Sequence, residues 1–136
     1  MGLLGRLFGI PSFDGSTNAL LVELTLPTFT DPQRAELKIR AIEFLQNIGS
    51  PGMSPETALD TLNQASRMTQ LNVLALAMKE LRYKPALSSE RLRTIRDPFA
   101  PDLVNEHALR AVARRLKWKY GVEASLSLES ITFDSW

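Results

Sequence analysis

The sequence has 136 residues, the size of one ordinary domain, with 44% apolar and 23% charged residues; such a chain can bury about two thirds of its unfolded surface in a core of its own, and the composition excludes disordered, collagenous and multi-pass membrane classes. It contains no cysteine, which excludes disulfide staples, thiolate metal sites and cysteine nucleophiles together and is compatible with a reducing compartment. The formal net charge of +1 conceals a partition, with six basic and eight acidic side chains in residues 1–80, ten basic and four acidic in residues 81–121, and three acids with no base in the final fifteen, an asymmetry able to steer an anionic partner or to be partly neutralised by the chain's own acidic end.

The start, MGLLGRLFGIPSF, has an arginine inside its apolar run and no small-x-small cleavage pattern, so it reads as a poor secretory signal. Arg6 stands where a myristoylated chain carries Ser or Thr, and no run is long enough to span a bilayer. Leu3, Leu4, Leu7 and Phe8 fall at helical spacing with Arg6 opposite, which suits a short amphipathic arm over residues 1–13, packed on its own domain, loose, or laid on a membrane or partner. Its glycines weaken that helix, each by roughly 1 kcal/mol.

Residues 14–136 are expected to form a single, mostly helical domain. DGSTN (14–18) is a turn cluster, after which Leu20, Val22, Leu24 and Leu26 alternate with Leu21, Glu23 and Thr25, the period of a strand ended by Pro27. Thr30, Pro32 and Gln33 then spell a helix start with a capping box. The helix from about Asp31 to Ile48 presents Leu37, Ala41, Phe44, Leu45 and Ile48 on one stripe, pairs Glu36 with Arg40 on its wet side, and closes at Gly49. Ser54 and Pro55 open a second helix with Leu59 and Leu62 inward. A thirty-residue helix is uncommon in so small a domain, so a break is expected near Ser66 to Thr69, giving a helical hairpin. Its second arm holds LNVLALAMKEL (71–81), a stretch too apolar to give a face to water. As a helix it must be surrounded, and the rest of the chain is organised around it.

Pro85 breaks the chain, Ser88 caps a short helix through about Arg96, and Phe99 anchors the connection between Pro98 and Pro101. The last helix is expected from about Asp102 to Tyr120, stopping at Gly121. Beyond it, Val122 to Glu129 alternate in polarity and Ile131-Thr-Phe133 is a further extended run, so these segments are expected to pair with Leu20 to Leu26 in a small antiparallel sheet. The fold class is therefore mainly α, a compact domain of four to five helices with a minor sheet made near the two termini.

A helical wheel of residues 102–120 gathers Leu109, Val112, Ala113, Leu116 and Tyr120 in one apolar arc. His107, Arg110, Ala111, Arg114, Arg115 and Trp118 fall across the opposite half, with Lys117 and Lys119 on the flanks. A tryptophan turned away from the core implies a cover. The acidic, apolar residues 122–136 are one, a protein partner or second copy another, since Trp with Arg is typical of binding hot spots. Nucleic acid or an anionic membrane is the third, with arginines on phosphates and the indole stacked on a base or seated among headgroups.

Catalysis is the weakest reading. The single histidine, His107, has Arg110 and Arg114 as helical neighbours, a setting for anion binding rather than general-base work. Glu106 and Asp102 point to other sectors of the helix, so no metal site forms with His107, and Glu106 is expected to pair with Arg110. No phosphate-binding glycine loop or dinucleotide fingerprint is present. The expectation is a non-catalytic interaction or self-assembly module, with no cofactor and no small-molecule substrate, binding a protein partner or its own copy. The rival is a charge-driven binder of nucleic acid or anionic membrane. The candidate binding residues are Arg91, Arg93, Arg96, His107, Arg110, Arg114, Arg115 and Trp118, and the expected location is cytoplasmic, with peripheral attachment to a membrane as the variant.

Overall fold

The computed structural model describes residues 15–49, 52–87, 106–122, 126 and 129–136. The expected N-terminal arm, the helix from Ser88 to Arg96, the Phe99 connection and the start of the last helix lie outside the described residues. Five α-helices appear among those described: α1 (Gly15–Thr25), α2 (Asp31–Ile48), α3 (Pro55–Gln64), α4 (Arg67–Leu81) and α5 (Glu106–Tyr120). A 3-10 turn, Leu26–Thr28, joins α1 to α2.

The stretch expected to organise the chain does so. In α4, Leu71, Asn72, Val73, Leu74, Ala77 and Met78 are all buried, and the helix packs against both α1 and α2. α2 also packs on α3, and α1 lies between α4 and α5. One core joins Leu20 and Val22 of α1, Leu37 and Ala41 of α2, Leu62 of α3, Leu71 and Leu74 of α4, Ala113 of α5, and Phe133.

The expected strand over Leu20 to Leu26 is corrected: the segment is α1, and the described residues contain no strand and hence no minor sheet. The alternation misleads because this helix has no wet face. Thr17 and every residue from Ala19 to Thr25 are buried, so the polar residues mark internal partners rather than solvent. The Thr25 hydroxyl donates to the Leu21 carbonyl at 2.7 Å. The Glu23 carboxylate accepts from Arg67 Nε at 3.0 Å and from its NH2 at 2.8 Å. A helix answers its own backbone polar groups wherever it is buried, whereas a strand there would need a ladder on each side.

The helix boundaries follow the capping chemistry. Thr30 Oγ1 accepts from Gln33 N at 3.3 Å while Gln33 Oε1 accepts from Thr30 N at 2.9 Å, completing the capping box. Ser54 and Ser66 accept from the backbone of Thr57 and Thr69 at 3.1 and 3.3 Å. Ser66 thereby starts α4 one residue after Ala65 ends α3, the break expected in the long apolar pattern. Gly49 closes α2 with φ −83 rather than a left-handed turn; a Cβ there would stand 2.9 Å from the Leu45 carbonyl oxygen and 2.7 Å from Met53 Cε, so close approach is what demands glycine. The expected Glu36–Arg40 pair is also corrected. Arg40 reaches Glu43 at 3.4 Å, and Glu36 accepts the Tyr83 phenol proton just beyond α4. That hydrogen bond, with desolvation and the carboxylate's charge, raises the Tyr83 pKa above its ordinary value.

Residues 130–133 run extended with Ile131 and Phe133 turned inward and Thr132 exposed, and the chain then turns back through Asp134 and Ser135 so that the Trp136 N–H donates to the Phe133 carbonyl at 3.1 Å. The expected extended run at Ile131 to Phe133 thus exists without a sheet, because side-chain amides take the place of a neighbouring strand. Gln70, wholly buried, donates from Nε2 to the Ile131 carbonyl at 2.9 Å and accepts the Ile131 N–H on Oε1 at 2.7 Å. Asn63 Oδ1 accepts the Phe133 N–H at 2.8 Å, and its Nδ2 donates to Asp134 at 3.2 Å. Arg67 NH1 donates to the Glu129 carbonyl at 3.0 Å and Ser130 Oγ to the Ala65 carbonyl at 2.6 Å. Phe133 fills the core, and Trp136 meets its edge at 4.7 Å with the Arg34 guanidinium 5.5 Å above the indole.

Candidate functional site: the outer face of α5

The amphipathic pattern of α5 is used as the wheel requires. Leu109, Val112 and Ala113 are buried on the side that packs on α1, and Arg110 NH1 donates to Asn18 Oδ1 of α1 at 2.6 Å. That bond fixes the rotation of α5 about its axis and draws Arg110 partly inward. Tyr120 is a correction to the wheel: at the helix end it is 54% exposed, with Lys119 Nζ 5.2 Å over its ring. Leu116 is half-buried. Gly121 ends the helix at φ +76, and its N–H donates to the Lys117 carbonyl at 2.8 Å.

On the opposite side His107, Ala111, Arg114, Arg115, Trp118 and Lys119 are all exposed, and Trp118 keeps 92% of its surface open. Residues 107, 111, 114, 115 and 118 follow the i, i+3, i+4, i+7 spacing, so they make one stripe along the helix. Of the expected cover by residues 122–136, the described residues 129–136 close the α3–α4 corner instead and leave Trp118 open. Arg91, Arg93 and Arg96 lie outside the described residues, as does the Glu106 side chain of the expected pair with Arg110.

Among the described residues no three of His, Asp and Glu gather to hold a metal ion, and no helix is long and apolar enough to cross a membrane. Asn63, Ala65, Arg67 and Gln70, in and around the break expected near Ser66 to Thr69, hold residues 129–136. Their signal was present but ambiguous: a glutamine leading a largely apolar run must either face water or answer a buried backbone. Comparison with protein-family models, curated proteins and solved structures gives no match.

Proposed function

We propose that this chain is a non-catalytic interaction module that holds another protein, or a second copy of itself, through the outer stripe of α5. The observation that carries the reading is the indole of Trp118, 92% exposed on a helix whose other side packs on α1 through Leu109, Val112 and Ala113. A covered indole removes on the order of 200 Å² from water, which at about 25 cal/mol per Å² amounts to at most about 5 kcal/mol of binding energy left unrealised in the isolated chain. The exposed guanidinium groups of Arg114 and Arg115 beside it add forked donors, and Trp with Arg is the pairing enriched at the centres of protein interfaces. The complementary surface is an apolar recess rimmed by carboxylates.

The same exposed cations beside an exposed ring favour a second reading, a charge-driven binder of nucleic acid or anionic membrane, with Arg114, Arg115 and Lys119 on phosphates and Trp118 on a base or among headgroups. Salt separates the two. Trp118→Ala is expected to weaken self-association in sedimentation equilibrium, or capture of a partner by the immobilised chain, by about tenfold or more. Thermal stability should change within the roughly 0.5 kcal/mol usual for an exposed position. Complexes that survive added salt support the protein interface. Binding of a labelled oligonucleotide or anionic vesicle that collapses with salt supports the charge-driven reading. Unchanged association in Trp118→Ala overturns both uses of the indole.

A further inference from the structure

We propose that the cradle formed by α2, α3 and α4 is a peptide-recognition site, and that its resident ligand, residues 129–136, exchanges with the same residues of a second copy of this chain. The way the segment is held motivates this. Its backbone is read by side chains: Gln70 takes both the N–H and the C=O of Ile131, Asn63 takes the N–H of Phe133, Arg67 the C=O of Glu129, and Lys38 the C=O of Trp136. Those groups sit on α2, α3 and α4, and α2 packs directly on the other two; on this reading that packing forms the site before the segment arrives. The alternate side chains Ile131 and Phe133 supply selectivity, with Phe133 fully buried as the anchor, and the turn after it brings Trp136 against its edge. This is how grooves recognise extended peptides, affinity coming from the main chain and specificity from every second residue.

The polar partners of residues 129–136 lie from 61 to 98 residues away along the chain. Covalent attachment therefore adds an effective concentration on the order of millimolar and nothing more. A second copy's segment meets the identical contacts, which is the condition under which exchange between protomers is inexpensive. The inference is independent of the α5 stripe, which lies on a different element.

The test uses the full chain and a labelled peptide of residues 129–136. In Phe133→Ala the resident segment loses its anchor while the cradle stays whole. This variant is expected to bind the labelled peptide about tenfold or more tighter than the unmodified chain does, and adding Gln70→Ala should weaken that binding by about tenfold. Mixing Phe133→Ala chains, with an intact cradle, and Gln70→Ala chains, with an intact segment, should give a mixed dimer in sedimentation velocity that neither forms alone. If Phe133→Ala is unfolded by itself, the peptide should restore its helical circular dichroism. A Phe133→Ala chain that takes up no peptide, folded or not, overturns the site, and peptide uptake without a mixed dimer overturns the exchange between copies.

Discussion

Arg67 ties three parts of the molecule together with one guanidinium group. Its Nε and NH2 grip Glu23 of α1 at 3.0 and 2.8 Å, its NH1 holds the Glu129 carbonyl at 3.0 Å, and it does so from the first turn of α4. Glu23 is 7% exposed and Arg67 18%, so the pair is largely desolvated, and its geometry is the forked one in which arginine cannot be replaced by lysine. Arg67→Ala leaves a carboxylate buried on α1 without its counter-charge, and we expect a loss of about 3 kcal/mol, the lower end for a broken buried pair because the arginine retains some water. Arg67→Lys should lose about half as much, keeping the charge without the fork. The joint replacement Glu23→Leu with Arg67→Met should recover most of the loss, since an apolar pair avoids the desolvation cost. Urea unfolding midpoints of the three variants check the ordering. A small loss in Arg67→Ala would mean that Glu23 finds water in the folded state.

At the level of elements, the ends of α4 show which local rules decide and which yield. Its start is set by Ser66, but its end comes at Arg82 with φ 58 and ψ 33, a left-handed residue that is not glycine. Tyr83 N then donates to the Met78 carbonyl at 2.9 Å, so the backbone turns as it would around a C-terminal glycine. Arg82→Gly should therefore raise stability by up to about 1 kcal/mol through relief of the left-handed strain. Arg82→Val should lower it by a similar amount, and thermal unfolding of the pair against the unmodified chain reads the sign. N-terminal caps made the starts of α2 and α3 legible in the sequence, because Thr30 and Ser54 act within four residues of themselves, whereas the break before α4 was legible only from the length of the helical pattern. α1 was not legible for the converse reason. The identity of Glu23 and Thr25 as interior residues depends on Arg67, more than forty positions away, and on a backbone carbonyl visible only once the segment is helical. The stripe on α5 was read from spacing alone, and His107, Ala111, Arg114, Arg115 and Trp118 stand exposed where the wheel put them, while Arg110 is drawn inward to Asn18. Tyr120 departs at the last residue of α5, where it is half exposed.

For the molecule as a whole, the order in which the chain closes follows from where its contacts lie. α3 and α4 meet across a two-residue break, and α2 packs on both, so much of the core assembles with short loops to close. Residues 129–136 dock on that assembly by closing loops of 61 to 98 residues, the costliest in entropy and the last to be repaid by contacts. Gln70 serves only that final step with two of its three hydrogen bonds, the third running from its Nε2 to the Leu62 carbonyl at 2.7 Å. Gln70→Ala leaves the Ile131 backbone and the Leu62 carbonyl unanswered in a buried place, at a cost of about 2–3 kcal/mol. If docking follows the rate-limiting step, that cost should appear almost wholly in the unfolding rate, accelerated about 30- to 150-fold, with the folding rate within about twofold of the unmodified chain. Leu74→Ala, in the middle of α4 and wholly buried, should instead slow folding, since the contacts of α4 with α1 and α2 belong to the part that forms first. Stopped-flow chevrons of the two variants decide the matter: a slowing of folding in Gln70→Ala comparable to that in Leu74→Ala would place residues 129–136 inside the folding nucleus, and the cradle would then have no existence apart from the segment that fills it.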